Sequence, residues 1–114
     1  MLKHLRNWLR NSRHVHVRQE AVASVRECVE LIDRFLDGER RYPLEWDDFI
    51  SWEHENLHIE KARKAIAETE PLFFSRDPAQ QSQGIDILVR ERNSLAKLAG
   101  LPNRGGPKRD DDAA

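Results

Sequence analysis

Apolar residues recur at helical spacing along most of the chain. The clearest run steps alternately by three and four positions: Val22, Val25, Val29, Ile32 and Leu36. Ala21, Cys28 and Phe35 widen this stripe into the face of a core helix. The spacing predicts a helix over residues 15–36 that ends before Gly38, because glycine readily adopts the left-handed conformation found past a helix end. The stripe could pack within the chain or against a second copy, so the pattern agrees with either a monomer or a homodimer.

A second helix is predicted from Pro43, which suits the first helical turn. Acidic residues that favour a helix N-terminus follow it: Glu45, Asp47 and Asp48. Two apolar faces come next, one from Trp46, Phe49 and Ile50 and the other from Ile59, Ala62 and Ile66. These faces would lie nearly opposite on one continuous helix. The pattern therefore predicts a break between residues 52 and 58, with Asn56 as N-cap of a third helix that stops at Pro71.

The last helix has a strong start signal. Asp77 is a good N-cap, Pro78 suits the first turn, and Gln80 is placed to complete a capping box. Its main apolar face contains Ile85, Leu88, Leu95 and Ala99. Gly100 and the proline that follows it are typical of a helix end.

Together these elements predict an all-α protein, a small bundle of about four helices. We expect residues 1–101 to form a single domain, since 114 residues suit one domain. Residues 102–114 contain Gly, Pro and charged residues with little to bury, and we predict a flexible polar tail there.

The N-terminal stretch is amphipathic and basic. Its apolar positions are Leu2, Leu5, Trp8 and Leu9, and its charges up to residue 18 are Lys3, Arg6, Arg10, Arg13 and Arg18, with no acid. We expect this face to pack on the rest of the domain. The alternative is a surface that contacts lipid or RNA.

Composition adds few constraints. The formal net charge is -1, so the whole molecule does not steer towards nucleic acid or anionic lipid. Cys28 is the only cysteine, which excludes an internal disulfide and requires no oxidising compartment. No apolar run approaches the length of a membrane span. A cytoplasmic location is expected.

One motif has a specific chemistry. Residues 54–58 read His-Glu-Asn-Leu-His, the H-E-x-x-H pattern of zinc peptidases. On one unbroken helix, His54 and His58 would share a zinc ion and Glu55 would be the general base. The flanking residues are acidic rather than apolar, and the helix is predicted to break here. A small zinc-dependent hydrolase is therefore the alternative hypothesis, and no cofactor is expected under the preferred one.

The preferred hypothesis uses the acidic aromatic segment 45–60. Its candidate partner-binding residues are Glu45, Asp47, Asp48, Trp52, Glu53 and Glu55. Tryptophan is enriched at binding hot spots, and surrounding carboxylates would steer a basic partner. This predicts a non-enzymatic protein-binding module, similar in size and charge layout to small helical immunity or inhibitor proteins. It requires Trp52 and the carboxylates to be exposed together.

Overall fold

The computed structural model describes residues 24–107. These residues form four α-helices and no strand: α1 (Val25–Leu36), α2 (Glu45–Ser51), α3 (Leu57–Phe73) and α4 (Pro78–Leu98). A short connection makes α3 and α4 an antiparallel hairpin, α1 packs chiefly on α4, and the short α2 contacts α1 and α3. The predicted all-α bundle is confirmed. In this part of the chain, no helix combines the length and apolarity needed to cross a membrane.

The core is built from the predicted apolar faces. Cys28, Val29 and Ile32 of α1 are at most 1% exposed and belong to one buried cluster with residues of the other three helices, among them Phe49, Ile66 and Leu88. The stripe of α1 therefore packs within the chain. Burial raises the pKa of the Cys28 thiol to about 12, which keeps it protonated. Cys28 is thus a small core residue, as expected.

The helix predicted over residues 15–36 is interrupted at Ser24. Ser24 has an extended backbone, and its hydroxyl accepts a hydrogen bond from the Glu27 amide at 3.2 Å. This is an N-cap, so α1 starts at Val25, and a continuous helix over residues 15–36 is wrong. The earlier part of that range, like all of residues 1–23, lies outside the described residues. At the other end Gly38 has φ 75°, as predicted for a helix end.

Pro71 does not stop the third helix. It lies inside α3, which continues to Phe73, and the Phe74 amide still donates to the Glu70 carbonyl at 3.0 Å. A proline loses only its own backbone donor and disturbs the carbonyl four residues earlier. The last turn of α3 survives because its remaining amides keep their acceptors and because Phe73 is buried in the core.

The start of α4 follows prediction with one difference. Asp77 is the N-cap and accepts from the Ala79 amide, and Pro78 is the first helical residue. Gln80 does not reach back to the Asp77 amide. The Ser75 hydroxyl lies between them, accepting from the Asp77 amide at 3.1 Å and donating to Gln80 Oε1 at 2.8 Å. The capping box is therefore closed through Ser75.

The predicted flexible tail is attached at its start. Arg92 of α4 is 5% exposed and donates to both carboxylate oxygens of Asp33 (2.8 and 3.0 Å) and to the Pro102 carbonyl (2.6 Å). Arg104 donates in turn to Asp33 and Asp37. Pro102 and Arg104 thus bond to the domain, because buried charges need partners, and the flexible polar tail over residues 102–114 stays a prediction. Residues 108–114 lie outside the described residues.

Candidate functional site

The predicted acidic aromatic face is divided by the fold. Glu45, Asp48 and Trp52 are only 2%, 3% and 7% exposed, so these three residues are part of the domain interior. Glu53 and Glu55 are exposed. Asp47 is half-buried. The requirement that Trp52 and the carboxylates be exposed together is not met, and the assignment of these three buried residues to partner binding is corrected.

Glu45 is buried because it forms ion pairs with two arginines. Arg34 donates to both of its oxygens at 3.0 and 2.8 Å, and Arg41 donates through its side chain at 2.7 Å and its amide at 3.2 Å. Burial alone would raise the pKa of Glu45, but the hydrogen bonds from Arg34 and Arg41 outweigh it and hold the pKa below its usual value. This carboxylate therefore connects α1 to the start of α2.

The aromatic residues in and near this segment also pack against the rest of the domain. Trp46 stacks on Phe35 with ring centroids 3.7 Å apart, and its indole N–H donates to Glu70 at 3.2 Å. Burial, together with the nearby Asp48 carboxylate, raises the pKa of Tyr42 to about 12. Most of the segment 45–52 thus fixes α2 against its neighbours.

The predicted break between α2 and α3 is confirmed. The last helical residue of α2 is Ser51, and Trp52 already has an extended backbone. Asn56 is the N-cap of α3, its side-chain oxygen accepting from the amides of His58 (2.9 Å) and Ile59 (3.2 Å). The phase change between the two apolar faces therefore marks a real turn.

This turn is held by Glu60 and Arg63. Glu60 accepts from the His54 amide at 3.0 Å and from Arg63 at 2.9 and 2.6 Å. Arg63 also donates to the Ile50 carbonyl at 2.8 Å, near the end of α2. Hydrogen bonds from Arg63 lower the pKa of Glu60 to about 2, with the His54 amide adding to the effect. The turn is fixed on both sides by charge-assisted bonds.

The H-E-x-x-H residues are not arranged as a zinc peptidase requires. His54 lies in the turn with Nε2 3.2 Å from the Phe49 carbonyl, whereas His58 lies in the first turn of α3 and is exposed. The unbroken helix that the zinc hypothesis needs is absent. Across residues 24–107, no group of three His, Cys, Asp or Glu side chains is placed to hold a metal ion.

An apolar surface adjoins the turn. Leu57 is 82% exposed and Leu98, at the end of α4, is 57% exposed. Between α3 and α4 lies a depression of about 200 Å³, lined in part by His58, Lys61 and Leu98. Leu57 precedes His58 and lies one helical turn before Lys61, so Leu57 and Lys61 lie on the same side of α3. We call Glu53, Glu55, Leu57, His58, Lys61 and Leu98 the Leu57–Leu98 surface.

Sequence reasoning missed both leucines of this surface. Leu57 follows the N-cap directly and falls outside the buried positions Ile59, Ala62 and Ile66 of its helix. Leu98 falls outside the buried Leu88 and Leu95 of α4. For Leu57, an apolar residue out of phase with its helix was the available signal, whereas Leu98 lies three positions after Leu95 and gives no such signal. Comparison with known protein families, curated proteins and solved structures gives no match, so the surface is interpreted from its own geometry.

Proposed function

We propose that the protein is a non-enzymatic binding module that engages a basic protein partner through the Leu57–Leu98 surface. The observation that carries this proposal is Leu57, 82% exposed on a turn fixed by hydrogen bonds and next to Glu53 and Glu55. Because these hydrogen bonds fix the backbone around Leu57, little backbone freedom is lost when a partner buries this side chain. The carboxylates would favour encounter with a basic surface.

The acidic segment remains part of the proposed contact surface, with different apolar residues. Glu53 and Glu55 are retained from the sequence prediction, and Leu57 and Leu98 replace Trp52 as the apolar contacts. An inhibitor or immunity-type role in the cytoplasm would suit a small acidic module that covers a basic enzyme surface. The exposed leucines and carboxylates would also suit binding to a basic protein that is not an enzyme.

Site-specific crosslinking in cells tests the surface directly. A photoreactive phenylalanine analogue at Glu55 is expected to capture a protein partner, whereas the same group at Glu68 captures none. Glu68 is the matched control because it is also an exposed glutamate, located farther along α3. Equal capture from both positions, or none from position 55, would contradict the proposal.

The captured partner then permits a quantitative test. Leu57→Ser and the double variant Glu53→Gln/Glu55→Gln are each expected to weaken binding about tenfold or more, which corresponds to roughly 1.4 kcal/mol. Binding of the wild type should weaken as salt rises, since exposed charges are screened. Leu44→Ser and Glu39→Gln/Glu68→Gln are the controls, and an equal loss of affinity in them would reject the Leu57–Leu98 surface.

A further inference from the structure

A cavity of about 300 Å³ lies between α1 and the start of α2. Its apolar lining contains Leu31, which is 1% exposed, and the half-buried rings of Phe35 and Trp46. All the residues that line it belong to the described part of the chain. Its volume is at the lower end of the range found for small-molecule sites, so a ligand that fits it must be small.

The lining of this cavity is held in place by contacts within the fold. Trp46 and Phe35 stack on each other with ring centroids 3.7 Å apart. Gly38, with φ 75°, turns the chain out of α1, and the Glu39 amide donates to the Arg34 carbonyl at 2.7 Å. The cavity is therefore formed before a ligand binds, which reduces the cost of ordering it.

The buried charge in the lining is already satisfied. Glu45 is 2% exposed, and its two oxygens accept hydrogen bonds from Arg34 and Arg41. Arg34 is also attracted to the nearby Glu30 carboxylate. The charges of these two acids and two arginines cancel, so together they favour neither a cationic nor an anionic ligand.

Glu39 and Arg40 are the remaining charged residues of the lining. Both are exposed, and within residues 24–107 neither side chain forms a hydrogen bond or an ion pair. They are neighbours in sequence and line the same cavity, so one negative and one positive group lie side by side. A ligand that complements both has an ammonium and a carboxylate close together, attached to an apolar body.

We infer that this cavity binds a free aromatic α-amino acid. Arg40 binds the carboxylate of the ligand and Glu39 binds its ammonium, two groups that a free amino acid carries on the same carbon. The ring of the ligand packs beside Phe35 and Trp46, since aromatic rings pair favourably. The cavity shares no residue with the Leu57–Leu98 surface, so this inference goes beyond the proposed partner binding and does not depend on it.

Titration of the full-length protein with L-phenylalanine, followed by NMR, tests the site. The signals of the Trp46 indole N–H and the Gly38 amide should shift and saturate at roughly millimolar ligand, whereas the Gly100 amide should not shift. 3-Phenylpropionate lacks the ammonium and 2-phenylethylamine lacks the carboxylate, so each should bind about three- to fivefold more weakly. No saturable shift at Trp46 and Gly38, or equal affinity for either analogue, would overturn the inference.

Two variants test each charge separately. Glu39→Gln should weaken binding of L-phenylalanine about three- to fivefold without weakening that of 3-phenylpropionate. Arg40→Ala should weaken L-phenylalanine by a similar factor without weakening 2-phenylethylamine. Glu68→Gln and Arg90→Ala are the matched controls, because both residues are exposed and lie outside the cavity lining. Wild-type affinity for L-phenylalanine in either cavity variant, or an equal loss in the controls, would reject an amino-acid site.

Discussion

Glu60 shows how one side chain fixes a turn. Its two oxygens receive the His54 amide and the Arg63 guanidinium, whose remaining donor reaches the Ile50 carbonyl. The end of α2, the turn and the start of α3 are thereby connected through one carboxylate. Charge-assisted hydrogen bonds of this kind are stronger than neutral ones. Both partners are mostly buried, with side chains 14% and 15% exposed, which protects the pair from solvent.

Because of Glu60, the free energy of unfolding should fall at acid pH. Its pKa is lowered from 4.5 to about 2, so its contribution is complete above pH 4.5 and is lost as pH falls towards 2. Glu60→Gln is expected to reduce the free energy of unfolding by about 1.5–3 kcal/mol at pH 7. Urea unfolding at pH 7 and pH 2.5 measures the difference, which should shrink at the lower pH.

Glu68→Gln is the matched control for this prediction. Glu68 is exposed on the same helix, so its replacement should change stability by less than ~0.5 kcal/mol. A Glu60→Gln variant as stable as Glu68→Gln at pH 7 would mean that the turn does not depend on this carboxylate.

Individual charged residues were the least predictable part of the sequence. Glu45 and Asp48 follow the pattern of a solvated acidic helix start, yet Glu45 is buried because Arg34, eleven positions earlier, meets it. Arg92 is buried for a similar reason, its carboxylate partner Asp33 being 59 positions away. Nothing in local periodicity indicates which charges will meet across a fold. The surface assignment of Glu45 and Asp48 failed for this reason.

At the scale of helices and turns, patterns among neighbouring residues predicted most of the helix boundaries. The opposed apolar faces of residues 46–50 and 59–66 indicated the break, and Asn56 occupies the predicted cap. Gly38 and Gly100 both have positive φ where helix ends were expected. Such features depend on neighbours a few positions apart. The continuation of α3 through Pro71 was missed because the burial of Phe73 in the core holds the final turn.

Removing the cap of α3 should loosen the turn that presents Leu57. Asn56→Ala is expected to reduce the free energy of unfolding by about 1 kcal/mol, since two amides lose their acceptor. Hydrogen exchange of the His58 and Ile59 amides should accelerate, as NMR would measure. Asn56→Asp keeps an accepting oxygen and serves as the control. Equal exchange rates in both variants would contradict this role of Asn56.

The α3–α4 hairpin depends on a glycine. A Cβ built on Gly84 would collide with the Phe73 backbone nitrogen and lie 2.8 Å from Leu72 Cβ, so the helices approach too closely here for any side chain. Alanine normally favours a helix over glycine by about 1 kcal/mol. We expect the opposite sign, with Gly84→Ala destabilising by about 1–3 kcal/mol through overpacking.

Thermal unfolding checks the sign of the Gly84 effect. Gly105→Ala is the control, because no atom lies within 4 Å of a Cβ at that position. A Gly84→Ala variant with a higher melting temperature than the wild type would show that the hairpin has room to spread.

For the whole molecule, Arg104 connects parts that are distant in sequence. It binds Asp33 and Asp37 of the first helix and its end, while its backbone pairs with Asn93 of α4. The segment after α4 thereby closes over the α1–α4 contact, and Leu101 packs on the core beneath it. These ion pairs therefore stabilise the packing of α1 on α4 rather than either helix alone.

Arg104→Ala should weaken this closure. We expect a loss of about 1.5–3 kcal/mol, because partly buried Asp33 and Asp37 each lose a charged donor. Urea unfolding measures the loss, and Arg90→Ala, an exposed arginine on α4, is the control. If both variants unfold at the same urea concentration, residues 102–107 contribute nothing to stability.

The same cluster has a consequence during synthesis. Arg104 is made 71 residues after its partner Asp33. At ribosomal speeds of roughly 5–20 residues per second, this interval is about 4–14 s. For most of this interval α4 is incomplete, so the apolar face of α1 lacks the helix on which it chiefly packs. The nascent chain therefore exposes the apolar face of α1 for seconds, and a chaperone that binds such faces would meet this protein before any partner does.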